Sequence, residues 1–349
     1  MFGQLDLRPL KRFAITIGIA AAGGAAAELL GLPAGWLSGG LLVVAAASLA
    51  GVNTDVPASV RTPAYFVLGI YAGSGVSQET LHQMQTWPAS FLVLSVSLVI
   101  LIAGAYRHLH RRHGWDRNAA LLSALPGALS FVLAAAEQLR TDMKKVAVAQ
   151  SVRLVMLVEL VPLIGLLLGH SGELAGGAEQ PSHVGLVDLA LLLGAGLAAA
   201  LLFLVVRLPG AWMLGGLFAS AALLLSGVVE GRLPPLLVIP CTIALAAIAG
   251  SRFRPGDMAI LPRLLRPALG AFAIASCVSA AAAAIVAFLF EINFLQALLA
   301  FSPGAQEAVV ILAYAMNLDP AYVAAHQVVR FLALVALVPI LTRWLNRHP

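Results

Sequence analysis

Long runs of apolar residues alternate with short polar and charged segments along the whole chain. A helix of about 20 apolar residues crosses the hydrocarbon core of a bilayer, because it satisfies its own backbone hydrogen bonds there. The pattern therefore predicts an all-α polytopic membrane protein with six hydrophobic segments in each half. These segments cover residues 13–31, 36–50, 62–77, 87–106, 118–140 and 146–168, and then 184–206, 212–229, 235–251, 267–290, 293–316 and 322–342.

The two halves carry the same motifs in the same order. Leu-Pro-Ala-Gly-Trp-Leu-Ser-Gly-Gly-Leu at residues 32–41 returns as Leu-Pro-Gly-Ala-Trp-Met-Leu-Gly-Gly-Leu at residues 208–217, which is 176 positions later. The offset then becomes 177 and matches Pro57 with Pro234, Ser74 with Ser251, Pro126 and Gly127 with Pro303 and Gly304, Asp142 with Asp319, Gln150 with Gln327, Arg153 with Arg330, and Pro162 with Pro339. This shared register indicates a duplication. We therefore expect a first membrane repeat (residues 1–170), a linker (171–183) and a second membrane repeat (184–349).

These paired motifs resemble the duplicated AbrB family of bacterial membrane proteins, whose members are also labelled ammonia-monooxygenase-like or regulators. The resemblance rests on the two Leu-Pro-x-x-Trp-x-x-Gly-Gly segments, the two Pro-Gly-Ala breaks and the two Asp-x7-Gln-x2-Arg strings, and it extends over essentially the whole chain. It implies the duplicated membrane architecture. The labels imply three incompatible functions, so the resemblance constrains the architecture more than the activity.

The composition excludes several classes of protein. Of the 349 residues, 60% are hydrophobic and 11% are charged, whereas a soluble domain carries about a quarter charged residues. A soluble enzyme, a disulfide scaffold and a disordered tail are excluded on this ground. Cys241 and Cys277 both lie in apolar runs, which argues against a disulfide or a cysteine metal site. The first apolar stretch has no clear small-residue cleavage site, so we expect no cleaved signal peptide.

The basic residues choose between two topologies, because Lys and Arg accumulate on the cytoplasmic side. The fifth segment of each half contains a proline, Pro126 or Pro303, that penalises a continuous helix. If all twelve segments cross, the two sides hold eleven and eight basic residues. If the Pro-Gly segments are re-entrant, the cytoplasmic side holds eighteen and the outside only Arg232. We therefore expect inverted repeats with about ten spanning helices plus two broken or re-entrant Pro-Gly segments. Another odd segment, such as the one after Trp36, stays an alternative.

Two kinds of polar feature lie within the apolar segments. Each Pro-Gly break starts a new helix, whose free N–H groups and dipole favour an anion. A glutamine and an arginine one helical turn apart follow each break, and arginine inside a span normally faces a partner or a wet cavity. The candidate substrate-binding residues are Pro126, Gly127, Ser130, Gln150, Arg153, Pro303, Gly304, Glu307, Gln327 and Arg330.

Structural alternatives accompany each of these candidates. Either break can be a proline kink that only serves packing. Arg330 can form an ion pair with Glu307, and Arg153 with Glu137 or Glu159. Asp142 and Asp319 are expected as helix N-caps rather than site residues. The histidines of the basic loop at residues 107–113 are not expected to hold a metal, because arginine-flanked imidazoles are poor ligands.

Inverted repeats with two discontinuous helices are typical of secondary transporters, whose substrate site lies near the membrane midplane. We expect a secondary transporter that moves a small anionic solute across the bacterial inner membrane by alternating access, with both termini cytoplasmic. The expected partners are the lipid bilayer and the solute, with a homodimer left open. No enzymatic activity, cofactor, metal or nucleic-acid partner is expected. Two alternatives stay open: a membrane-embedded regulator that affects gene expression indirectly, and a membrane oxygenase, which would need a metal-ligand cluster.

Overall fold

The computed structural model describes residues 8–126, 129–168 and 184–347. Within these ranges the chain forms α-helices, a short 3-10 helix (Met84–Thr86), a π-helical segment (His108–Arg112) and turns, without a β-strand. The first half contains α1 (Arg8–Leu29), α2 (Gly35–Leu49), α3 (Ala58–Gly73), α4 (Gln78–Gln83), α5 (Trp87–Arg107), α6 (Arg117–Ala124), α7 (Leu129–Gln138) and α8 (Met143–Leu167). The second half contains α9 (Leu186–Val205), α10 (Ala211–Leu225), α11 (Pro235–Gly250), α12 (Asp257–Phe290), α13 (Phe294–Phe301), α14 (Gln306–Ala315) and α15 (Pro320–Arg347). The expected linker at residues 171–183 lies outside the described residues.

Several of these helices have the length and apolar composition of membrane spans. Among the described residues, six stretches meet both criteria: Pro9–Leu29, Gln78–Arg112, Met143–Leu167, Leu186–Val205, Asp257–Phe290 and Pro320–Leu337. The helices α2 and α10 are apolar but have 15 residues, which corresponds to about 22 Å of helix length. The all-helical fold with membrane-type helices that the sequence predicts is therefore confirmed.

The fifth hydrophobic segment of each half is broken at its proline. The residue before a proline is pushed out of the helical region by the proline ring. Leu125 accordingly has φ −66° and ψ 123°, and Ser302 has φ −66° and ψ 140°. The first segment thus divides into α6 and α7, and the second into α13 and α14. The broken helices expected from the Pro-Gly motifs are present in both halves.

The two pieces of each broken segment return to their starting end. In the first half, Thr141 Oγ1, beyond the end of α7, donates a 2.9 Å hydrogen bond to Asp116 Oδ2, at the start of α6. In the second half, the backbone N–H of Asp319, beyond α14, donates to Gln296 Oε1 in the first turn of α13 over 3.3 Å. Because the outer ends meet while the inner ends are joined by the break, α6–α7 and α13–α14 are helical hairpins.

The two halves pack through pairs of helices whose backbones lie in close contact at glycine positions. Gly69 of α3 faces Met213 of α10, and Gly73 faces Leu217, so these helices run parallel. A Cβ atom added to either glycine would collide with the backbone of α10. The helices α2 and α11 form the matching contact, in which Gly250 lies against the backbone of α2. Small residues let helix backbones approach this closely.

Equivalent helices of the two halves run in opposite directions where they meet. The helices α5 and α12 occupy the same position in the two sets of motifs, and they pack against each other. Gly104 lies against Ile274, whereas Gly270, four residues earlier in α12, lies against His108, four residues later than Gly104. The contact positions descend along one helix as they ascend along the other. This pair is therefore antiparallel.

Two aspartates start the helices that follow the hairpins. Asp142 Oδ1 accepts hydrogen bonds from the backbone N–H groups of Lys144 and Lys145, at 3.1 and 3.2 Å. Asp319 Oδ1 accepts from two backbone N–H groups in the first turn of α15, at 2.8 and 3.2 Å. A side-chain oxygen that binds the free N–H groups of a first turn defines an N-cap. The structural role predicted for both aspartates is confirmed.

Candidate functional site: a cavity between the two hairpins

A cavity of about 630 Å³ lies where the two hairpin breaks come together. Eight of the ten predicted site residues line it: Pro126, Gln150, Arg153, Pro303, Gly304, Glu307, Gln327 and Arg330. Gly127 lies outside the described residues. Ser130 belongs to α7, and its side chain is not among those that the structure describes. Residues 177 positions apart in the chain thus converge on one space.

The arginine of the second half holds the tip of its own hairpin. Arg330 is 4% exposed, and its Nη1 and Nη2 groups donate to the carbonyl oxygens of Ser302 and Gly304, the latter over 2.8 Å. Gln327, one turn earlier on α15, donates from Nε2 to two carbonyl oxygens at the end of α13. A helix end leaves its last carbonyl groups without intrahelical partners. This pair satisfies the carbonyl groups that the proline break exposes.

In the described part of the first half, a glutamine and an arginine also hold the end of the first hairpin helix. Arg153 Nη1 donates to the carbonyl oxygen of Leu125 over 3.1 Å, and Nη2 donates to Gln150 Oε1. Gln150 Nε2 donates to Leu125 as well, and to Leu122 at the end of α6. The Leu125 carbonyl group therefore has two donors. By contrast, Gln327 Oε1 has no hydrogen-bond partner although it is buried.

The expected alternative of arginine–carboxylate pairs is not what the described residues show. Neither Arg153 nor Arg330 forms an ion pair with Glu137, Glu159 or Glu307, all of which belong to the described part of the chain. Their donors are directed at backbone oxygens instead. The two guanidinium groups lie beside the cavity without a carboxylate partner among the described residues, and they interact electrostatically with each other.

The charged side chains that line the cavity are mostly basic. The six basic residues are Arg61, Lys144, Arg153, Arg252, Arg254 and Arg330, and the two acidic residues are Asp257 and Glu307. Arg61, Lys144 and Arg254 are exposed, whereas Arg153 and Arg330 are buried. The cavity therefore extends from an exposed basic rim to a buried basic floor. A lining of this kind concentrates anions.

Sequence reasoning missed part of this lining. Tyr65 lies on α3, Arg252 follows the end of α11, and Gln306 is the first residue of α14. Arg252 directly follows Ser251, which is one of the residues matched between the halves. The repeat register therefore marks this part of the sequence as a candidate. From the sequence, Arg252 counts among the eighteen basic residues expected on the cytoplasmic side, because an arginine that follows a span has the same appearance in either role.

Two tyrosines surround Ser74, which is the first-half counterpart of Ser251 in the cavity wall. Ser251 lines the cavity, whereas the Oγ atom of its counterpart Ser74 lies 3.2 Å from the Oη atom of Tyr314. The Tyr314 ring packs on Tyr71 with 4.2 Å between the ring centroids, and it also covers Gly75. We call Tyr71, Ser74 and Tyr314 the tyrosine cluster. The space is thus open at Ser251 and filled at Ser74.

Comparison with known proteins places the chain among relatives of the same length. The chain is 26% identical over 325 residues to a protein of Escherichia coli (strain K12) described as "Putative regulator AbrB", with 91% of each chain covered. It is 24% identical over a 362-residue alignment to "Uncharacterized protein YhjN" of Bacillus subtilis (strain 168), with 95% of this chain and 92% of the relative covered. The family model "Transition state regulatory protein AbrB" matches residues 3–74 and 36–346. The chain therefore belongs to the AbrB family.

Proposed function

We propose that this protein is a secondary transporter that moves a small anion across the bacterial inner membrane by alternating access. One observation carries the proposal: two helical hairpins, one from each half, place their breaks at a single basic cavity. Discontinuous helices that meet at a solute-sized space are the usual plan of a secondary transporter. A cavity of about 630 Å³ also falls within the range of small-molecule sites.

The packing of the halves supports an inverted repeat. The helices α5 and α12 hold equivalent positions and run antiparallel, and α3 runs parallel to α10 rather than to α11. Five crossings and one re-entrant hairpin in each half produce this arrangement, because an odd number of crossings inverts the orientation of the second half in the membrane. In this topology the hairpins enter from opposite sides of the membrane, and both termini are cytoplasmic.

The distribution of basic residues supports a state that is open toward the cytoplasm. The cavity rim contains Arg61, Lys144 and Arg254, and basic residues accumulate on the cytoplasmic side. The tyrosine cluster closes the corresponding space on the other side. Alternating access then requires the tyrosine cluster to separate while the space around Ser251 closes, which exchanges the roles of the two halves.

A regulatory role follows from transport rather than competing with it. The Escherichia coli relative is described as a regulator, and the candidate spans occupy much of the described chain. A change in solute flux alters the metabolite concentrations that gene expression responds to. A regulatory phenotype would then be lost together with transport.

Transport can be tested in proteoliposomes that take up labelled anions. We expect uptake of at least one member of a panel of phosphate, acetate, succinate and citrate above that of empty liposomes. In a Tyr71→Cys/Tyr314→Cys variant without the native cysteines, a short bis-methanethiosulfonate linker should abolish this uptake, and reduction should restore it. Each single-cysteine variant treated with the same reagent serves as the control.

Two results would refute the proposal. The first is uptake of no anion of the panel by protein that is folded and correctly inserted. The second is undiminished uptake with the tyrosine cluster covalently bridged, because alternating access requires that cluster to open.

A further inference from the structure

We propose that Arg252, with the Tyr65 hydroxyl group and the Gln306 amide group, forms the subsite that binds an oxyanion group of the solute, such as a carboxylate or a phosphate. Arg153 and Arg330 are then positioning residues of the hairpins rather than ligands. This inference rests on the proposed transport of an anion, and it assigns the ligand-binding role to residues that the paired motifs do not include.

The hydrogen-bond donors of the buried arginines are already directed elsewhere. Arg330 uses Nη1 and Nη2 on the hairpin carbonyl groups, and Arg153 uses its two groups on Leu125 and Gln150. A solute that took these donors would leave buried carbonyl groups without partners, which costs free energy. These two arginines therefore contribute positive charge to the cavity while their donors hold the hairpin tips.

Arg252 differs because its guanidinium group is not bound to other described residues. Within the described ranges its guanidinium group makes no hydrogen bond and no ion pair, although it lines the cavity and is only partly exposed. Its electrostatic neighbours include Tyr65, Glu307, Arg61 and Arg153. A guanidinium group carries five N–H donors in a planar fork that fits two oxygen atoms of an oxyanion. Arg252 thus presents this fork to the cavity.

A second, independent donor at the same place also lacks a partner. Gln306 Nε2 is buried and forms no hydrogen bond. The amide group packs against Gly210, at φ 67°, where an added Cβ atom would lie 2.9 Å from Nε2. Gln306 also begins α14, where Ala305 supplies no side-chain cap. The first N–H groups of α14 therefore have no side-chain cap, and Ala305, Gln306 and Glu307 all line the cavity.

Glu307 explains how such a site releases its anion. It interacts electrostatically with both Arg252 and Tyr65, yet it forms no ion pair with Arg252 in the described part of the chain. A carboxylate held near the binding arginine competes with an incoming anion. Removal of its charge should therefore strengthen anion binding, which is opposite in sign to the effect of removing Arg252.

The test measures anion binding by the purified full chain in detergent, with sodium phosphate and sodium succinate as separate probes. Thermal unfolding followed by tryptophan fluorescence gives the concentration of each probe that produces half of the maximal stabilisation. The variants are Arg252→Gln, Tyr65→Phe and Glu307→Gln. Arg263→Gln is the matched control, because Arg263 is exposed, carries the same charge and does not line the cavity.

For a probe that stabilises the unaltered chain, we expect Arg252→Gln to raise this concentration at least 10-fold and Tyr65→Phe to raise it about 3-fold. Glu307→Gln should lower it, and Arg263→Gln should leave it within 2-fold. Without a probe, Arg252→Gln should unfold at the temperature of the unaltered chain, because the Arg252 guanidinium group forms no hydrogen bond or ion pair with the described residues.

The outcomes separate the inference from the proposed function. Stabilisation of the unaltered chain with equal affinity in Arg252→Gln would overturn the subsite and leave anion transport standing. A loss of affinity equal in Arg252→Gln and Arg263→Gln would also overturn the subsite, since it would reflect net charge alone. Failure of both probes to stabilise the unaltered chain would count against the anion site itself, and hence against the proposed function.

Discussion

Loss of the Arg330 guanidinium group should destabilise the protein more than loss of the Arg153 guanidinium group. In Arg330→Ala the buried carbonyl group of Gly304 loses its donor, and that of Ser302 keeps only the N–H group of Gly304. An orphaned buried acceptor costs about 1–3 kcal/mol and a lost hydrogen bond about 1 kcal/mol. The free energy of unfolding should therefore fall by about 2–4 kcal/mol.

Arg153→Ala has a smaller expected effect because a glutamine supports the same carbonyl group. Gln150 Nε2 continues to donate to the carbonyl oxygen of Leu125 over 3.0 Å. Among the described residues, the atom left without a donor is Gln150 Oε1, and the equivalent Gln327 Oε1 already lacks a partner beside the cavity. We expect a loss of about 1 kcal/mol, on the scale of one net hydrogen bond.

Chemical unfolding in mixed detergent micelles, followed by tryptophan fluorescence, measures both variants against the unaltered chain. Arg330→Lys is a useful third variant, because an ammonium group retains the charge but cannot form the same planar fork to two carbonyl oxygens. Equal losses in Arg153→Ala and Arg330→Ala would refute the reasoning. A more stable Arg330→Ala would refute it more strongly, since it would mean that burial of the charge outweighs its hydrogen bonds.

Further predictions concern topology and packing. A cysteine at Lys145, in a chain without its native cysteines, should react with an impermeant thiol reagent from the cytoplasmic side; labelling only from outside would exclude the re-entrant topology. Gly69→Val should lower the yield of folded protein several-fold in size-exclusion chromatography, because its Cβ would meet the α10 backbone, whereas Gly194→Val has open space and should not. Ser90→Ala should cost about 1–3 kcal/mol of unfolding free energy in the same micelle assay, because the Ser90 hydroxyl bonds two buried side chains, while Ser95→Ala, which loses a bond to its own helix, should cost less.

Local chemistry explains which parts of the fold could be predicted. A proline followed by glycine ends the helix in both fifth segments, so Pro126 and Pro303 locate both hairpins from the sequence, whereas Pro162 lies inside the continuous helix α8. A glutamine and an arginine one turn apart must share a helix face, and arginine in a span avoids lipid. The paired register then predicts that the two faces have equivalent surroundings. These three facts suffice for eight of the ten candidate positions to be found at one cavity.

The partners of these arginines could not be predicted in the same way. The sequence shows carboxylates near Arg330, but it does not show backbone carbonyl groups, which every residue has. The position of Arg252 depends on the packing of α11 against α2 and α3, which places the loop after α11 over the cavity rather than in solvent. Such a placement is a property of tertiary structure, and neither residue spacing nor hydropathy contains it.

The glycine contacts between α3 and α10, and between α2 and α11, have a consequence for biosynthesis. Among the described residues, these glycine surfaces of each half are covered by helices of the other half, so neither half completes its packing alone. When the ribosome has made the first 170 residues, α2 and α3 lack these partners. The helix packing of the first half is therefore completed only after α10 and α11 have been synthesised.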